Sequence, residues 1–495
     1  MKTIKNNIHR LLLLAILSLT VVSCNLDEYP EDSLAEDRIE WNSTTDVEKV
    51  RMGIYALYRQ VNGGNFTTAT DYQVDLFNAT VGYNNTAGDL YRWDFTSSQG
   101  SITQIWASNY KLIGNINYLL MNIDKVVAAH ESEQAYLKNT KGEAHLLRAI
   151  AYHTLALRFA PLYQEDTAEQ ELGLPLEEVV DIKALPARAT LEETYQFILK
   201  DLAQARALLS QKGKHNAEFM TVDVLDAFEA RVALSMSNYS LAMERVETLA
   251  DKYPLSNSVE EFAKMWLKDT SSEVIYRHFA SVDERLNEFD VYLEFDPASK
   301  AYSPLYVPNQ WVIDLYEDED MRKDVFFVKD LIKSSRVSVD DVYMLNKFPG
   351  NPDLQKIPHE YYHQYKPFRI AEIYLIAAES AFMLKDEAKA ASWLNKLRQA
   401  RAASEIKQTG EDLFKAIQEE WVREFIGEGM RLNQLARWEM AMDRSDKLPQ
   451  NPKLTINSPG FSDLVIPSNS EKFVWEIPYH DLDANKNIIP NWKNN

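Results

Sequence analysis

The sequence predicts a mostly α-helical protein: four helical hairpins packed as a platform, with long irregular, aromatic-rich loop excursions between them. Three observations carry this expectation. An ungapped internal repeat places small and aliphatic residues at helical spacing, further amphipathic stretches flank it, and Asn-, Thr-, Gly- and Tyr-rich segments interrupt the periodicity.

From the N-terminus, Lys2, Lys5, His9 and Arg10 form a basic start, and Leu11 to Val22 form an apolar stretch of 12 residues. That is short of the roughly 20 residues a bilayer-spanning helix needs, so residues 1–23 read as an export signal. Val21-Val22-Ser23-Cys24 has the form of a bacterial lipoprotein box, with Cys24 as the acylated first mature residue. Cys24 is the only cysteine among 495 residues, so disulfides cannot support the fold. Residues 24–40, beginning "CNLDEYPED", make an acidic tether, and residues 41–495 make one domain.

The first helix begins near Thr45 and pairs with Gln104–Val126. Between them Gly63–Gly100 is irregular, containing "NATVGYNNTAGDLYRWDFTSSQG". The next pair is Gln134–Phe159 with Leu191–Ser210, separated by a loop in which Pro161, Pro175 and Pro186 exclude a continuous helix. The third and fourth hairpins are the strongest, at 220–254 and 368–404. Aligned at an offset of 148 residues, Ala230 meets Ala378, Ala233 meets Ala381, Ala242 meets Ala390, Val246 meets Leu394 and Leu249 meets Leu397. These are the slots of a tetratricopeptide-like (TPR-like) hairpin, where alanines let antiparallel helices approach closely. Val274–Asp314 is a second aromatic, aperiodic excursion.

Composition restricts function. A net charge of −21, rising in magnitude to −24 once residues 1–23 are removed, argues against nucleic acid, because a phosphate-contacting surface needs basic residues to displace counterions. Aromatic rings stack on sugar C–H faces while amides, carboxylates and guanidinium groups bond hydroxyls. The first candidate ligand set is therefore Tyr83, Asn84 and Trp93, with Asp75, Asn78 and Arg92 as companions, and the second is Tyr292, Tyr302 and Tyr306. Tyr374, Trp393 and Trp421, on amphipathic helices, read as core.

Two catalytic patterns compete with binding. "HEYYH", His359 to His363, matches the H-E-x-x-H pattern of zinc peptidases, but that chemistry needs one helical face. Pro358 and Pro367 bracket a tyrosine-rich segment better suited to extended chain, where i and i+4 lie more than ~12 Å apart. The carboxylate row Glu420, Glu424 and Glu428 could serve glycoside hydrolysis, but Arg423 and Arg431 at helical spacing favour ion pairing, and Gly427 and Gly429 mark a helix break. No metal, cofactor or catalytic residue is assigned.

The mature start "CNLDEYPEDSLAEDRIEWNSTTDVEKVRMGIYALY", the runs "FRIAEIYLIAAES" and "EEWVREFIGEGMRLNQLARW", and the close "WEIPYHDLDANKNIIPNW" together resemble the SusD/RagB family of outer-membrane nutrient-binding lipoproteins. The resemblance covers nearly the whole mature chain. It implies a non-catalytic, surface-exposed lipoprotein, anchored to the outer membrane, that captures oligosaccharide and delivers it to a SusC-like TonB-dependent transporter. Peptide capture is the alternative within the family, and an exported hydrolase the alternative outside it. The motif residues Arg369, Glu372, Glu379, Glu424, Arg431 and Trp438 read as helix-to-helix ion pairs and core contacts.

Several acyl chains hold a protein on a bilayer where none leaves it free. Cys24→Ala is therefore expected to fold normally and to appear in the soluble fraction on membrane fractionation. Retention of the full amount in the membrane, with no partner present, refutes the lipidation site.

Overall fold

Helices dominate the computed structural model, which describes residues 40–181, 183–285, 290–334 and 336–492. The expected signal, Cys24 and the tether through residue 39 lie outside the described residues. Ser43–Asn495 form one compact unit.

The four expected hairpins are four packed helix pairs. α1 (Thr44–Gln60) packs on α2 (Gly100–Asn122), α3 (Glu131–Phe159) on α4 (Leu191–Leu208), α5 (Val222–Ser235) on α6 (Tyr239–Leu249), and α7 (Ile370–Met383) on α8 (Glu387–Ala400). α3 also packs on α2, and α7 on α6, so the pairs stack side by side. Local sequence starts these helices. Thr190 and Glu193 form a reciprocal capping box at α4, and the Thr221 hydroxyl accepts from the Val224 amide at α5.

The 148-residue repeat extends to the backbone. In one turn Met236 and Asn238 donate to the carbonyls of Val232 and Ala233 at 3.0 and 2.8 Å; in the other Leu384 and Asp386 donate to Ser380 and Ala381 at 2.9 Å each. The residues between, Ser237 and Lys385, both have left-handed backbone (φ +57° and +67°), and Asn238 and Asp386 then cap the following helix. All ten residues aligned above are buried. The alanines are what allow the approach: a larger side chain there would separate the paired helices.

The excursions carry short strands. β1 (Phe77–Ala79) pairs antiparallel with β5 (Tyr306–Pro308), and β2 (Val274–Tyr276) with β8 (Phe368–Arg369). β3 (Phe295–Asp296), β4 (Ala301–Tyr302), β6 (Phe327–Lys333) and β7 (Ser338–Leu345) form a four-stranded sheet in that order. Gly63–Gly100 is less irregular than its composition suggests, since Asn65–Gln73 is helical.

α9 (Gly410–Phe425) joins platform to excursions through a buried ionic lattice. Glu424 receives Arg369 Nη1 at 2.8 Å and Arg401 Nε at 3.1 Å. Glu420 pairs with Arg322 and Arg398, both at 2.7 Å, and with Arg423 at 3.0 Å; Glu428 takes Lys347 and Arg369, both at 2.6 Å. Ion pairing is thus the role of the carboxylate row, with one correction to the sequence reading. Arg431 bonds none of these acids; its guanidinium donates to both Asp75 oxygens at 3.0 Å. The chain has turned by then: α9 ends at Phe425, and Gly427 and Gly429 have φ of +77° and +71°. A Cβ on Gly427 would meet Leu345 at 2.7 Å.

Burial opposes ionisation of Glu420, yet Arg322, Arg423 and Arg398 together bring its pKa to about 2, and Arg401, Arg369 and Arg322 depress Glu424 further still. Both lie below their unfolded value of 4.5, so this stability is present above pH 4.5 and is lost as pH falls through about 2. Urea unfolding is expected to show stability declining from pH 4.5 downward. Glu424→Gln removes a buried carboxylate shared by three arginines, which keep Glu428, Glu273 and Glu420, and should cost about 3–5 kcal/mol at neutral pH while weakening the acid dependence; an unchanged urea midpoint and pH slope refute the assignment.

Candidate functional site

The two aromatic excursions meet at a surface cleft of about 280 Å³, lined by Thr80, Val81, Gly82, Asn84, Glu294, Ser303, Pro304, Leu305, Ile332, Ser334, Arg336 and Leu454. Four segments distant in sequence are held there by backbone bonds. The Thr80 amide donates to Leu305 O at 3.0 Å, Val81 to Leu454 O at 2.8 Å, Ser303 to Glu294 O at 2.7 Å, and Leu305 to Val291 O at 2.9 Å. The Thr80 hydroxyl donates to Pro304 O at 2.9 Å. Beneath lies an apolar cluster of Leu293, Val307, Ile332, Val339, Val342, Met344, Tyr361 and Leu454.

Asn84, Glu294 and Arg336 at the cleft are exposed and Ser303 and Ser334 half-buried, while Thr80 is buried. Asn84 stands in a run of turns with left-handed backbone, φ +52° followed by +59° at Asn85, a conformation Asn tolerates better than most residues. Arg336 is exposed, with Nη1 3.5 Å from Val81 O. Desolvation at the cleft, with Asp290 and Asp296 nearby, holds the Glu294 carboxyl above its ordinary pKa. Beside the cleft the Arg92 guanidinium donates to Asn85 Oδ1 at 2.9 Å and Tyr83 Oη at 3.3 Å, and lies 5.5 Å from the Phe461 ring.

The remaining sequence candidates support these walls from inside. Trp93 is 3% exposed; its indole N–H donates to Gln73 O at 2.7 Å and its ring meets Phe473 edge-on at 5.0 Å. Tyr306 is fully buried, stacked at 4.6 Å on Tyr72, and its hydroxyl donates to Thr86 O. Tyr292 is buried, stacked at 4.6 Å on Phe77 and bonded to Asp71 at 3.3 Å. Asp75 is taken by Arg431, and Asn78 is buried within β1. Tyr83 is 7% exposed, its ring edge-on to Tyr306 and Phe461. Tyr302 is half-buried against the apolar cluster under the cleft. Sequence reasoning located the two excursions but missed Glu294, Ser303, Ser334 and Arg336. Their one readable signal was position, inside or just beyond Val274–Asp314.

Neither catalytic pattern assembles. His359 is exposed in a turn with φ +68°, against the Phe295 ring, while His363 is buried and stacked on Phe348 at 4.8 Å. Burial lowers the His363 pKa to about 4. Glu360 between them accepts from the Lys356 and Ile357 amides and from Arg285. Glu420, Glu424 and Glu428 are buried and bound by cations. Among the described residues no three His, Cys, Asp or Glu side chains are grouped to hold a metal ion.

Comparison with known proteins bears on the whole chain. Residues 25–234 match the SusD-like family described as "Starch-binding associating with outer membrane", and residues 329–493 match the SusD family. No curated protein matches. Solved structures with the same fold include a SusD superfamily protein from Bacteroides thetaiotaomicron (22% identity, TM-score 0.77, covering 91% of this chain and 100% of that one). A putative sugar binding protein from Bacteroides vulgatus has 24% identity and TM-score 0.75, covering 91% and 99%. A SusD-like carbohydrate binding protein from the same species has 22% identity and TM-score 0.73, covering 90% and 97%. At these identities the structures establish the shared fold. The two family matches, in order along the chain and spanning both the platform and the C-terminal lattice, add descent to that likeness: the chain belongs to the SusD/RagB family.

Proposed function

We propose that this protein is a non-catalytic, lipid-anchored protein of the outer membrane that captures oligosaccharide and passes it to a SusC-like TonB-dependent transporter. The observation that carries the binding step is the cleft itself: polar side chains that pair little with one another converge over an apolar floor, on loops fixed by a rigid helical platform. Asn84, Glu294, Ser303, Ser334 and Arg336 would bond hydroxyls, while Val81, Pro304 and Leu305 offer apolar contact to sugar C–H faces. Tyr83, Arg92 and Tyr302 shape the rim. Sugar binding named for two structural neighbours supports this ligand class. Among the described residues no helix is long and apolar enough to cross a membrane.

Arg336→Ala removes an exposed side chain whose bond to Val81 O is long, at 3.5 Å, and Glu294→Gln removes an exposed charge. Each is expected to weaken oligosaccharide binding by about 1–2 kcal/mol, roughly a 5- to 30-fold rise in Kd, with the thermal midpoint unchanged. Calorimetric titration against a panel of oligosaccharides checks this. Wild-type affinity in both variants refutes the cleft, and product formation from any sugar refutes the non-catalytic reading.

Trp93→Ala acts differently. Removing a buried indole should destabilise the fold by about 3–5 kcal/mol, visible as a lower urea midpoint; full stability with lost binding would return Trp93 to the ligand site.

A further inference from the structure

A second pocket, of about 170 Å³, opens from the helical platform and shares no lining residue with the cleft. Its wall includes Tyr58 of α1, Arg158 of α3, Trp421 of α9 and Gln434 of α10 (Arg431–Arg437). Three of these carry buried hydrogen-bonding atoms without a partner among the described residues: Tyr58 Oη, Trp421 Nε1 and Gln434 Nε2, on side chains 1%, 3% and 3% exposed. Unmade bonds of this kind cost about 1–3 kcal/mol each, and these three line one pocket.

The wall carries Arg158, Arg231 and Arg437 together with Glu372 and Glu428. Arg158 forms no ion pair among the described residues; it donates to Asn433 Oδ1 and, at 3.5 Å, to Gly429 O. The carboxylates that share the wall are engaged elsewhere: Glu372 by Arg231 at 2.6 Å, and Glu428 by Lys347 and Arg369. Burial lowers the Arg158 pKa to about 10, which leaves it cationic at neutral pH; nearby Asp71, its own pKa pushed up to about 7 by burial, offsets this only in part. Asp71 directs its oxygens to the Tyr292 hydroxyl and the Gly429 amide.

We propose that this pocket binds a small monocarboxylate, with Arg158 supplying the opposing charge and Tyr58, Trp421 and Gln434 supplying hydrogen bonds. A neutral guest would leave the guanidinium uncompensated, and a dianion would bring a surplus charge into the interior. A carboxylate presents two acceptor oxygens in one plane, the geometry a guanidinium and flanking N–H groups match. A neighbouring cavity of about 440 Å³ shares Leu157, Leu162 and Asn433 with this one, so the Arg158–Asn433 bond stands where the two adjoin.

Acetate, its neutral isostere acetamide, and chloride are the probes. Saturation-transfer NMR and thermal midpoints at constant ionic strength should show saturable binding of acetate, with acetamide and chloride weaker by roughly tenfold or more. Arg158→Gln should abolish the acetate effect. Tyr58→Phe, which keeps the ring and removes only the hydroxyl, should reduce it several-fold and serves as the readout if Arg158→Gln does not fold. Absence of saturable acetate binding, equal binding of acetamide or chloride, or undiminished binding in Tyr58→Phe overturns the proposal. The readout uses no oligosaccharide, so its failure leaves the cleft reading intact.

Discussion

Glu424 is the point on which the two halves of the architecture depend. Its carboxylate is shared by Arg369 at the entry to α7, Arg401 at the end of α8 and Arg322 from the excursion side, and Arg401 continues to both oxygens of Glu273 at 2.8 Å. Removing such charges from water is costly, and a buried ion pair returns little net stability beyond that cost. Its consequence here is positional. A cation left without its acid in this interior is so unfavourable that the approach of α7, α8, α9 and the strands beyond Arg322 has little freedom. Lys347, following β7, is drawn into the same lattice through Glu428 and the Glu424 carbonyl, and the sheet that backs the cleft is thereby tied to the platform.

The aromatic residues of the excursions act as a second, softer fastening. Tyr72, Tyr83, Tyr91 and Phe461 surround Tyr306, directly or through one another. The Arg444 guanidinium lies 3.7 Å from the Tyr91 ring centroid while donating to the carbonyls of Tyr72, Val74 and Tyr91. This packing explains how loops rich in Asn, Thr and Gly hold a defined cleft. It also divides labour within them, since the rings build the walls and the polar side chains at the rim remain available for a ligand. The family's general association with sugars is compatible with that division, in which hydroxyl recognition does not require a free ring at the cleft.

Much of this organisation was legible in the chain. Helix pairing follows from the small and aliphatic spacing of Ala230, Ala233 and Ala242 and their counterparts 148 residues on, because the same residues create the close approach in both copies. The non-helical state of His359–His363 follows from the flanking prolines and tyrosines. Burial of Glu420, Glu424 and Glu428 could be read as ion pairing, but the partners could not: Arg322, Arg369, Arg398 and Arg401 come from three other segments.

What the sequence by itself determined is local: hairpin helices, their caps and turns, the aperiodic excursions, the expected lipid-bearing Cys24 and the family resemblance. Each depends on residues within a few turns of one another or on motifs that stand in order. The tertiary structure alone decided which aromatics face inward, that Arg431 bonds Asp75 across 356 positions, and that Asn84, Glu294 and Arg336 share one cleft. Those outcomes depend on which distant surfaces compete for burial and for a counter-charge, and an aromatic or an arginine in a loop carries no local mark of the partner it will find.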